Sequence, residues 1–137
     1  MLQLKVIPPR RITDKYGSGY YGAPRGARRH RGIDFAAVVG SRVLALSNGT
    51  VSRVGYCYQD DLSFRYVEVD TGWVHGTTKE RYFYLDPDVQ VGQRVKHGDI
   101  LGTVQSLEER YPGITPHFHF EVRVRGTPMN PDEYGAL

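Results

Sequence analysis

The chain has 137 residues, about the length of one average domain, and we expect one domain around one hydrophobic core. Hydrophobic residues make up 39% of the sequence and charged residues 24%, which excludes a disordered, collagen-like or coiled-coil protein. The net charge of +3 suits a polyanionic partner but identifies none.

Ten Tyr, sixteen Gly and eight Pro favour many short strands and tight turns, so the predicted fold class is all-β. No stretch approaches the roughly 20 apolar residues of a membrane span, and no signal peptide is visible. We therefore expect a protein that is made in the cytoplasm and does not insert into a membrane. Cys57 is the only cysteine, so any metal site must use histidine and carboxylate ligands.

Turn-rich sequence at residues 1–29 predicts an irregular first segment. A β-hairpin is predicted next, in which residues 43–47 and 50–54 flank Asn48 and Gly49. The prediction depends on this dipeptide, because Asn-Gly tolerates the positive φ values of a type I′ turn.

Further strands are predicted along the rest of the chain, from alternating apolar and polar residues or, for Ile100–Val104, from the turn at Gly98 and Asp99 that precedes it. One strand covers residues 64–69, stops at 70–72 and resumes at 73–75. The remaining predicted strands are residues 81–85, Ile100–Val104 and, after a loop at residues 105–116, His117–Val124.

A weak internal repeat is also visible. The sequence VGSRV at residues 39–43, with GTV at 49–51, is echoed by VGQRV at 91–95, with GTV at 102–104. Two similar β units packed face to face would give this pattern. Residues that are common in turns and strands would also give this pattern by chance, and the sequence does not decide between the two explanations.

The last predicted strand carries two histidines on one face. Alternation places His117, His119 and Glu121 on one side, while Phe118 and Phe120 point to the core. The two imidazoles lie about 7 Å apart along the chain and can reach one reaction centre, where one binds metal and the other handles protons. The alternative is a solvated strand face with chance histidines. Glu121 is either a partner that orients an imidazole or a surface carboxylate.

A second group of metal-ligand residue types occurs at His30 and Asp34. In an extended strand these residues would lie about 13 Å apart, too far for one zinc ion. The chain must therefore bend between them, and Gly32 is the residue where a bend is easiest. The alternative is a turn with a surface histidine and an aspartate that caps local backbone.

Taken together, His30, Asp34 and His119 supply three zinc ligands and leave the fourth tetrahedral position open for water. This is the arrangement of a catalytic zinc, which lowers the pKa of its water to about 7 and polarises a carbonyl. His117 is placed to act as the base beside it. The pattern therefore predicts amide hydrolysis.

These motifs resemble the lysostaphin-type (LytM or LasA type) zinc endopeptidases of bacterial peptidoglycan. HRGIDFAA at residues 30–37 is similar to the family's His-x-Gly-x-Asp block, and HFHFE at 117–121 to its His-x-His-Phe-Glu strand. NGTV at 48–51 and VGQRVKHGD at 91–99 are similar to the hairpin and the glycine-rich turn between these blocks. The resemblance runs from about Ile12 to Pro131.

The resemblance implies a compact antiparallel β-sandwich or barrel of the duplicated hybrid kind, with the site in a groove walled by loops. It implies that His30, Asp34 and His119 bind Zn²⁺ and that His117 is the catalytic histidine. Residues 1–11 are then an N-terminal extension, and residues 12–137 form the single peptidase domain.

One position departs from the family pattern. Family members usually carry a second catalytic histidine in a Tyr-x-His-Leu strand, and this chain has Tyr84 there, in YFYL at residues 82–85. A phenol can donate a hydrogen bond to a developing oxyanion, but with a pKa of about 10 it is a poor proton acceptor. Two hypotheses follow. The protein is either an enzyme whose rate is reduced by about 10²–10³-fold, or a catalytically impaired peptidoglycan-binding or structural zinc module.

The remaining candidates are weaker. His97 is expected in a solvated turn, and His75 is a remote candidate for the missing imidazole. A solvated loop is expected for the basic run, which consists of Arg25, Arg28, Arg29 and Arg31. No aromatic residues alternate with these arginines, so nucleic acid is not a predicted partner.

The expected partner is bacterial peptidoglycan, and the protein is expected to be a monomer. A small domain without a wall-binding module resembles phage lysis or virion-associated enzymes, which act on the cell wall after synthesis in the cytoplasm. The same observation favours the D-alanine to diaminopimelate cross-link over pentaglycine as the bond that is cut.

Overall fold

A computed structural model describes residues 9–11, 14–25, 28–73 and 77–132. His75 and most of residues 1–11 lie outside this part. Within it, every regular element is a β-strand and every strand pair is antiparallel, which confirms the predicted all-β class. None of the described segments forms a helix long and apolar enough to cross a membrane.

Twelve strands are present in the described residues. They are β1 (Pro24–Arg25), β2 (Arg28–Arg29), β3 (Ile33–Ala36), β4 (Arg42–Leu44), β5 (Gly49–Tyr56), β6 (Arg65–Trp73), β7 (Thr77–Phe83), β8 (Leu85–Pro87), β9 (Arg94–Val95), β10 (Ile100–Val104), β11 (His117–Val124) and β12 (Thr127–Met129). The predicted strands at 100–104 and 117–124 are confirmed with the same bounds.

The strands form one large sheet, one small sheet and a β1–β2 ribbon. The large sheet has the order β12-β11-β7-β6-β5-β9, and β3 also pairs with β11. The small sheet has the order β4-β10-β8. The core draws buried side chains from both sheets, among them Phe35, Val51, Val67, Tyr82, Leu101 and Phe120.

Aromatic packing fixes the register of β3 on β11. The ring of Phe35 lies 5.4 Å from that of Phe118 and 6.0 Å from that of Phe120, and all three are buried. Because side chains alternate along a strand, this core contact turns the neighbouring polar residues to the opposite face. Asp34 is thereby paired directly with His119.

The internal repeat corresponds to two units that pair reciprocally. β4 and β5 belong to the first copy, β9 and β10 belong to the second, and β4 pairs with β10 while β5 pairs with β9. Equivalent hydrogen bonds join the two copies. They run from Gly40 N to Val104 O and from Val104 N to Ser41 O at one junction, and from Gly92 N to Val51 O and from Val51 N to Gln93 O at the other. The repeat therefore reflects two matching β units.

The predicted hairpin at residues 43–54 is wrong. β4 and β5 lie in different sheets, and neither Asn48 nor Gly49 has a positive φ. Asn48 Oδ1 instead accepts a hydrogen bond from the backbone N–H of His97 at 2.7 Å. A Cβ on Gly49 would lie 2.4 Å from the carbonyl oxygen of Asp70, so this glycine permits close strand packing. Asn48 and Gly49 therefore lie where the chain passes from the small sheet to the large sheet.

Two predicted strand ends also differ. β6 continues through residues 70–72 with a bulge at Gly72, whose φ is 92°. The predicted strand at residues 81–85 is interrupted at Tyr84, which has a φ of 73°. This left-handed residue separates β7 in the large sheet from β8 in the small sheet.

Residues 9–11 pair along the free edge of β3. The backbone N–H of Ala36 donates to Pro9 O at 2.7 Å, and that of Arg11 donates to Asp34 O at 2.8 Å. The described end of the predicted extension is therefore packed against the strand that carries Asp34.

Candidate metal centre and active site

Three side chains converge on one point: Asp34 lies on β3, His119 lies on β11, and His30 directly follows β2. His30 Nε2 lies 3.1 Å from Asp34 Oδ1 and 2.9 Å from His119 Nδ1. The distance between His119 Nδ1 and Asp34 Oδ1 is 2.8 Å. The predicted ligand set is thus brought together. Among the described residues, His30, Asp34 and His119 form a group whose ligand atoms are close enough to share one metal ion.

Gly32 lets the chain bend between His30 and Asp34, as predicted. A Cβ at this position would lie 2.1 Å from the carbonyl oxygen of Phe120, which belongs to β11 and has no freedom to move aside. Only glycine therefore allows the chain to pass this close to β11 and return His30 to the cluster.

We expect Gly32→Ala to destabilise the metal-free protein by about 1–3 kcal/mol or more, because an added methyl group meets fixed backbone. Gly40→Ala measures conformational strain without a clash, since its φ of 84° disfavours alanine while nothing lies within 4 Å of the added Cβ. Urea unfolding of both variants measures the difference. A smaller loss for Gly32→Ala than for Gly40→Ala would contradict the steric role.

The outer partners of the two histidines orient their lone pairs. His30 Nδ1 donates to Tyr20 O at 2.9 Å, and His119 Nε2 donates to Glu121 Oε1 at 3.0 Å. In the neutral rings, His30 Nε2 and His119 Nδ1 are then both unprotonated and face Asp34 Oδ1. Three electron-pair donors directed at one point require a cation between them. Glu121 is therefore a buried orienting partner.

The pKa values of the cluster show the same demand for positive charge. Burial acts to raise the pKa of Asp34, but hydrogen bonds to His119 and His30 hold it well below its usual value. Burial acts to lower the pKa of His119, but hydrogen bonds to Asp34 and Glu121 raise it to about 9. Without metal, a proton on His119 thus takes the place of the cation.

The donor set fits a zinc ion. Zinc in proteins is bound by imidazole and carboxylate at about 2.0–2.2 Å, which separates tetrahedral ligand atoms by about 3.3 Å. The observed separations of 2.8, 2.9 and 3.1 Å therefore need only a small expansion. His30, Asp34 and His119 would hold the ion, and three ligands leave one position open.

His117 lies beside this cluster as a buried, neutral imidazole. Its Nδ1 donates to Thr115 O at 2.8 Å, which leaves Nε2 unprotonated 3.5 Å from Asp34 Oδ2. Burial lowers the pKa of His117, although the Asp34 carboxylate acts in the opposite direction. The ring is therefore a proton acceptor at neutral pH, as a general base must be.

Tyr84 reaches the same cavity through its left-handed backbone. Its ring packs edge-on against His117 with centroids 5.7 Å apart. Its hydroxyl lies 2.8 Å from that of Tyr58, which lies 2.8 Å from that of Tyr111. Burial raises the pKa of Tyr84 well above its usual value, so Tyr84 stays a phenol and is available only as a hydrogen-bond donor or neutral acceptor.

A cavity of about 390 Å³ opens over the cluster. Its aromatic lining consists of Tyr16, Tyr58, Phe83, Tyr84 and Tyr111. Arg25 and Arg31 also line it. The predicted solvated loop is wrong for Arg25, which is half-buried and donates to Ser18 O at 2.7 Å. The side chains of Arg28 and Arg29 lie outside the described part.

The buried Arg11 and its partner Asp14 were not among the residues predicted for the site. Arg11 is 1% exposed and donates through Nε to Asp34 Oδ2 at 3.0 Å. Its Nη1 lies 2.9 Å from Asp14 Oδ2. No local pattern marks this arginine, because its partner Asp34 lies 23 residues further along the chain.

Asp14 makes the fold sensitive to acid. Burial acts to raise the pKa of Asp14, but hydrogen bonds from Thr115, Tyr16 and Arg11 lower it to about 2. The ionised carboxylate therefore stabilises the fold fully above pH 3.8, and this contribution is lost as the pH falls through about 2.

We expect Asp14→Asn to be less stable than wild type at pH 6 and to lose most of this difference by pH 2. Urea unfolding of both proteins between pH 2 and 6 measures it. Comparison of the two proteins removes the contribution of Asp34, which titrates in both. A stability difference independent of pH would show that the charge of Asp14 is not the cause.

The fold and site define a metallopeptidase-type domain, with a His₂Asp cluster next to a buried base. Residues 28–131 match the profile of Peptidase family M23, and the chain belongs to this family. Leukocyte cell-derived chemotaxin-2 of Bos taurus is 32% identical over 111 residues, 81% of this chain and 71% of that protein. Peptidoglycan DD-endopeptidase ShyC of Vibrio cholerae is 31% identical over 105 residues, 76% of this chain and 22% of that protein.

Solved structures share the fold. The catalytic domain of a variant of the prophage-encoded M23 protein EnpA from Enterococcus faecalis has a TM-score of 0.68 at 28% identity, covering 86% of this chain and 89% of that one. A zinc-containing peptidase from Vibrio cholerae has a TM-score of 0.58 at 30% identity, covering 91% of this chain but 39% of that one. The lysostaphin-type fold predicted from the sequence is confirmed.

Proposed function

We propose that the protein is a zinc-dependent endopeptidase that hydrolyses peptide bonds in bacterial peptidoglycan. The observation that carries the proposal is the convergence of His30 Nε2, Asp34 Oδ1 and His119 Nδ1 within 4.8 Å, beside the unprotonated Nε2 of His117. Membership of Peptidase family M23 and the similarity to ShyC, a peptidoglycan DD-endopeptidase, support the substrate class.

The proposed mechanism divides the work among the residues of the cavity. When bound, zinc lowers the pKa of water and polarises the substrate carbonyl. His117 Nε2 accepts a proton from the attacking water and passes it to the leaving amine. Thr115 O fixes the opposite ring nitrogen of His117, so the accepting nitrogen always faces the cavity.

Tyr84 can stabilise the oxyanion only if its single hydroxyl proton points to the substrate. The tyrosine chain permits this, because Tyr111 can donate to Tyr58 and Tyr58 to Tyr84. The proton of Tyr84 is then left for the substrate oxygen. Reversal of the chain would turn that proton to Tyr58 and leave no donor at this position.

The second candidate function is a peptidoglycan-binding or structural zinc module without turnover. The observation that favours it is the phenol at position 84, which is too weak a base to replace a histidine. It is favoured further by the chemotaxin from Bos taurus, whose name describes no peptidase. Both functions use the same metal ligands, so only turnover separates them.

The test is digestion of purified peptidoglycan by the zinc-loaded protein, with mass spectrometry of the released fragments. Walls with diaminopimelate cross-links and walls with pentaglycine bridges are digested in parallel, and the chelated protein is the control. We expect new amine and carboxylate ends only with zinc, at the D-alanine to diaminopimelate bond. If zinc is bound but neither wall is cleaved, the endopeptidase proposal is wrong and the second candidate function, a zinc module without turnover, takes its place.

The place of action is part of the same proposal. We infer release to the cell wall in the manner of phage lysis or virion-associated enzymes, and the structural neighbour EnpA is prophage-encoded. Lysis of cells from outside, compared with lysis of permeabilised cells, tests this. Equal lysis of intact and permeabilised cells would argue against any need for a release step.

A further inference from the structure

Arg11 is the most deeply buried charged side chain near the metal centre. It is 1% exposed, and its guanidinium has three oxygen partners. These are Asp34 Oδ2 at 3.0 Å, Asp14 Oδ2 at 2.9 Å and Gly17 O at 3.1 Å. A buried guanidinium with several good acceptors is held in one orientation, because each N–H is directional and desolvation of an unpaired charge is costly.

The carboxylate of Asp34 is divided between two sets of partners. Its Oδ1 faces His30 Nε2 and His119 Nδ1 at 3.1 and 2.8 Å. Its Oδ2 accepts the Nε–H of Arg11 at 3.0 Å. A carboxylate with one oxygen occupied in this way offers only the other oxygen to a cation. The hydrogen bond therefore opposes bidentate binding, which would fill the open position.

Arg11 is also connected to His117, the proposed base on β11. Asp14 Oδ2, which pairs with Arg11, also accepts the backbone N–H of Thr115 at 3.0 Å. Thr115 O in turn accepts the Nδ1–H of His117 at 2.8 Å. A continuous set of polar contacts thus joins the metal ligand Asp34 to His117 through Arg11 and Asp14.

We propose that Arg11 is a positioning residue that holds Asp34 as a one-oxygen metal ligand and, through Asp14, sets His117 at a fixed distance from it. The inference rests on the metal site of the proposed function and does not depend on turnover. It also gives residues at the edge of the predicted extension a role in the site.

The sign of the effect on metal affinity separates positioning from charge. A guanidinium close to a divalent cation repels it, so loss of the charge alone would raise the affinity for zinc. Loss of a partner that orients a ligand lowers metal affinity, typically about 10–100-fold. Arg11→Gln removes both the charge and the Nε contact. Arg11→Lys keeps the charge but loses the planar, fixed donor geometry.

The experiment measures zinc affinity by competition with a chelator for wild type, Arg11→Gln, Arg11→Lys and the control Arg10→Gln. Arg10 is a suitable control because it forms a more exposed ion pair with Asp132. We expect affinity to fall about 10–100-fold in both Arg11 variants and to stay within about twofold of wild type in the control. Unchanged or higher affinity in Arg11→Gln would overturn the proposal.

Two further readouts exclude a role in stability alone. Circular dichroism and urea unfolding of the metal-free proteins show which variants are folded, and Arg11→Lys covers the case in which Arg11→Gln fails to fold. The visible spectrum of the Co²⁺-loaded protein reports ligand number and is expected to change in the Arg11 variants. Lower stability with unchanged affinity and spectrum would refute positioning. Failure of wild type to bind zinc would refute the proposed function itself.

Discussion

Replacement of His117 by glutamine is expected to reduce peptidoglycan hydrolysis by about 10²–10⁴-fold while zinc stays bound. Glutamine can still donate a hydrogen bond to Thr115 O, the partner of His117 Nδ1, but it has no basic nitrogen. The metal ligands are untouched, so the loss reports proton transfer alone. Rates of fragment release and zinc content of the same samples are the two measurements.

His97→Gln is the matched control for this variant. His97 is half-buried in a turn and does not line the cavity over the metal cluster. The same chemical change there is expected to leave hydrolysis unaffected. If His117→Gln retained activity within tenfold of wild type at full zinc occupancy, proton transfer would have to be assigned elsewhere.

The fold was predictable where the local pattern matches the tertiary environment. β11 has the predicted bounds because its alternating apolar residues face the core, and β10 because Leu101 and Val104 are buried. The hairpin prediction failed because Asn48 and Gly49 satisfy tertiary contacts, with His97 and Asp70, that a turn propensity does not include. The reciprocal pairing of the two repeat units overrides that local preference.

The candidate site was predictable as residue types and only partly as geometry. His30, Asp34 and His119 stand in recognisable motifs, but their convergence depends on the register of β3 on β11, which the packing of Phe35 fixes. Arg11 was not predictable, since it interacts with Asp34 across 23 residues of irregular sequence. Long-range polar contacts of this kind leave no periodicity in the sequence.

The tyrosine chain around Tyr84 was missed for the same reason. Tyr58 and Tyr111 lie outside the strands, and neither belongs to a motif. Their hydroxyls nevertheless determine which way the proton of Tyr84 points. The effect on turnover of having tyrosine at position 84 therefore depends on Tyr58 and Tyr111 as well as on Tyr84.

Tyr84→Phe is expected to lower the hydrolysis rate by about 10²–10³-fold if the phenol stabilises the oxyanion. The ring and its contact with His117 are kept, and only the donor is lost. The control is Tyr56→Phe, which removes the same atom from an exposed tyrosine that does not line the cavity. Steady-state rates on a soluble cross-linked muropeptide measure both variants.

Tyr84→His completes the comparison, because it restores a group that can accept as well as donate a proton. If the wild type hydrolyses the muropeptide slowly, Tyr84→His is expected to be faster than wild type and Tyr84→Phe slower. Activity in Tyr84→His alone would assign the wild type to the impaired zinc module. Equal rates in wild type and Tyr84→Phe would remove Tyr84 from the mechanism and leave His117 as the side chain that handles the proton.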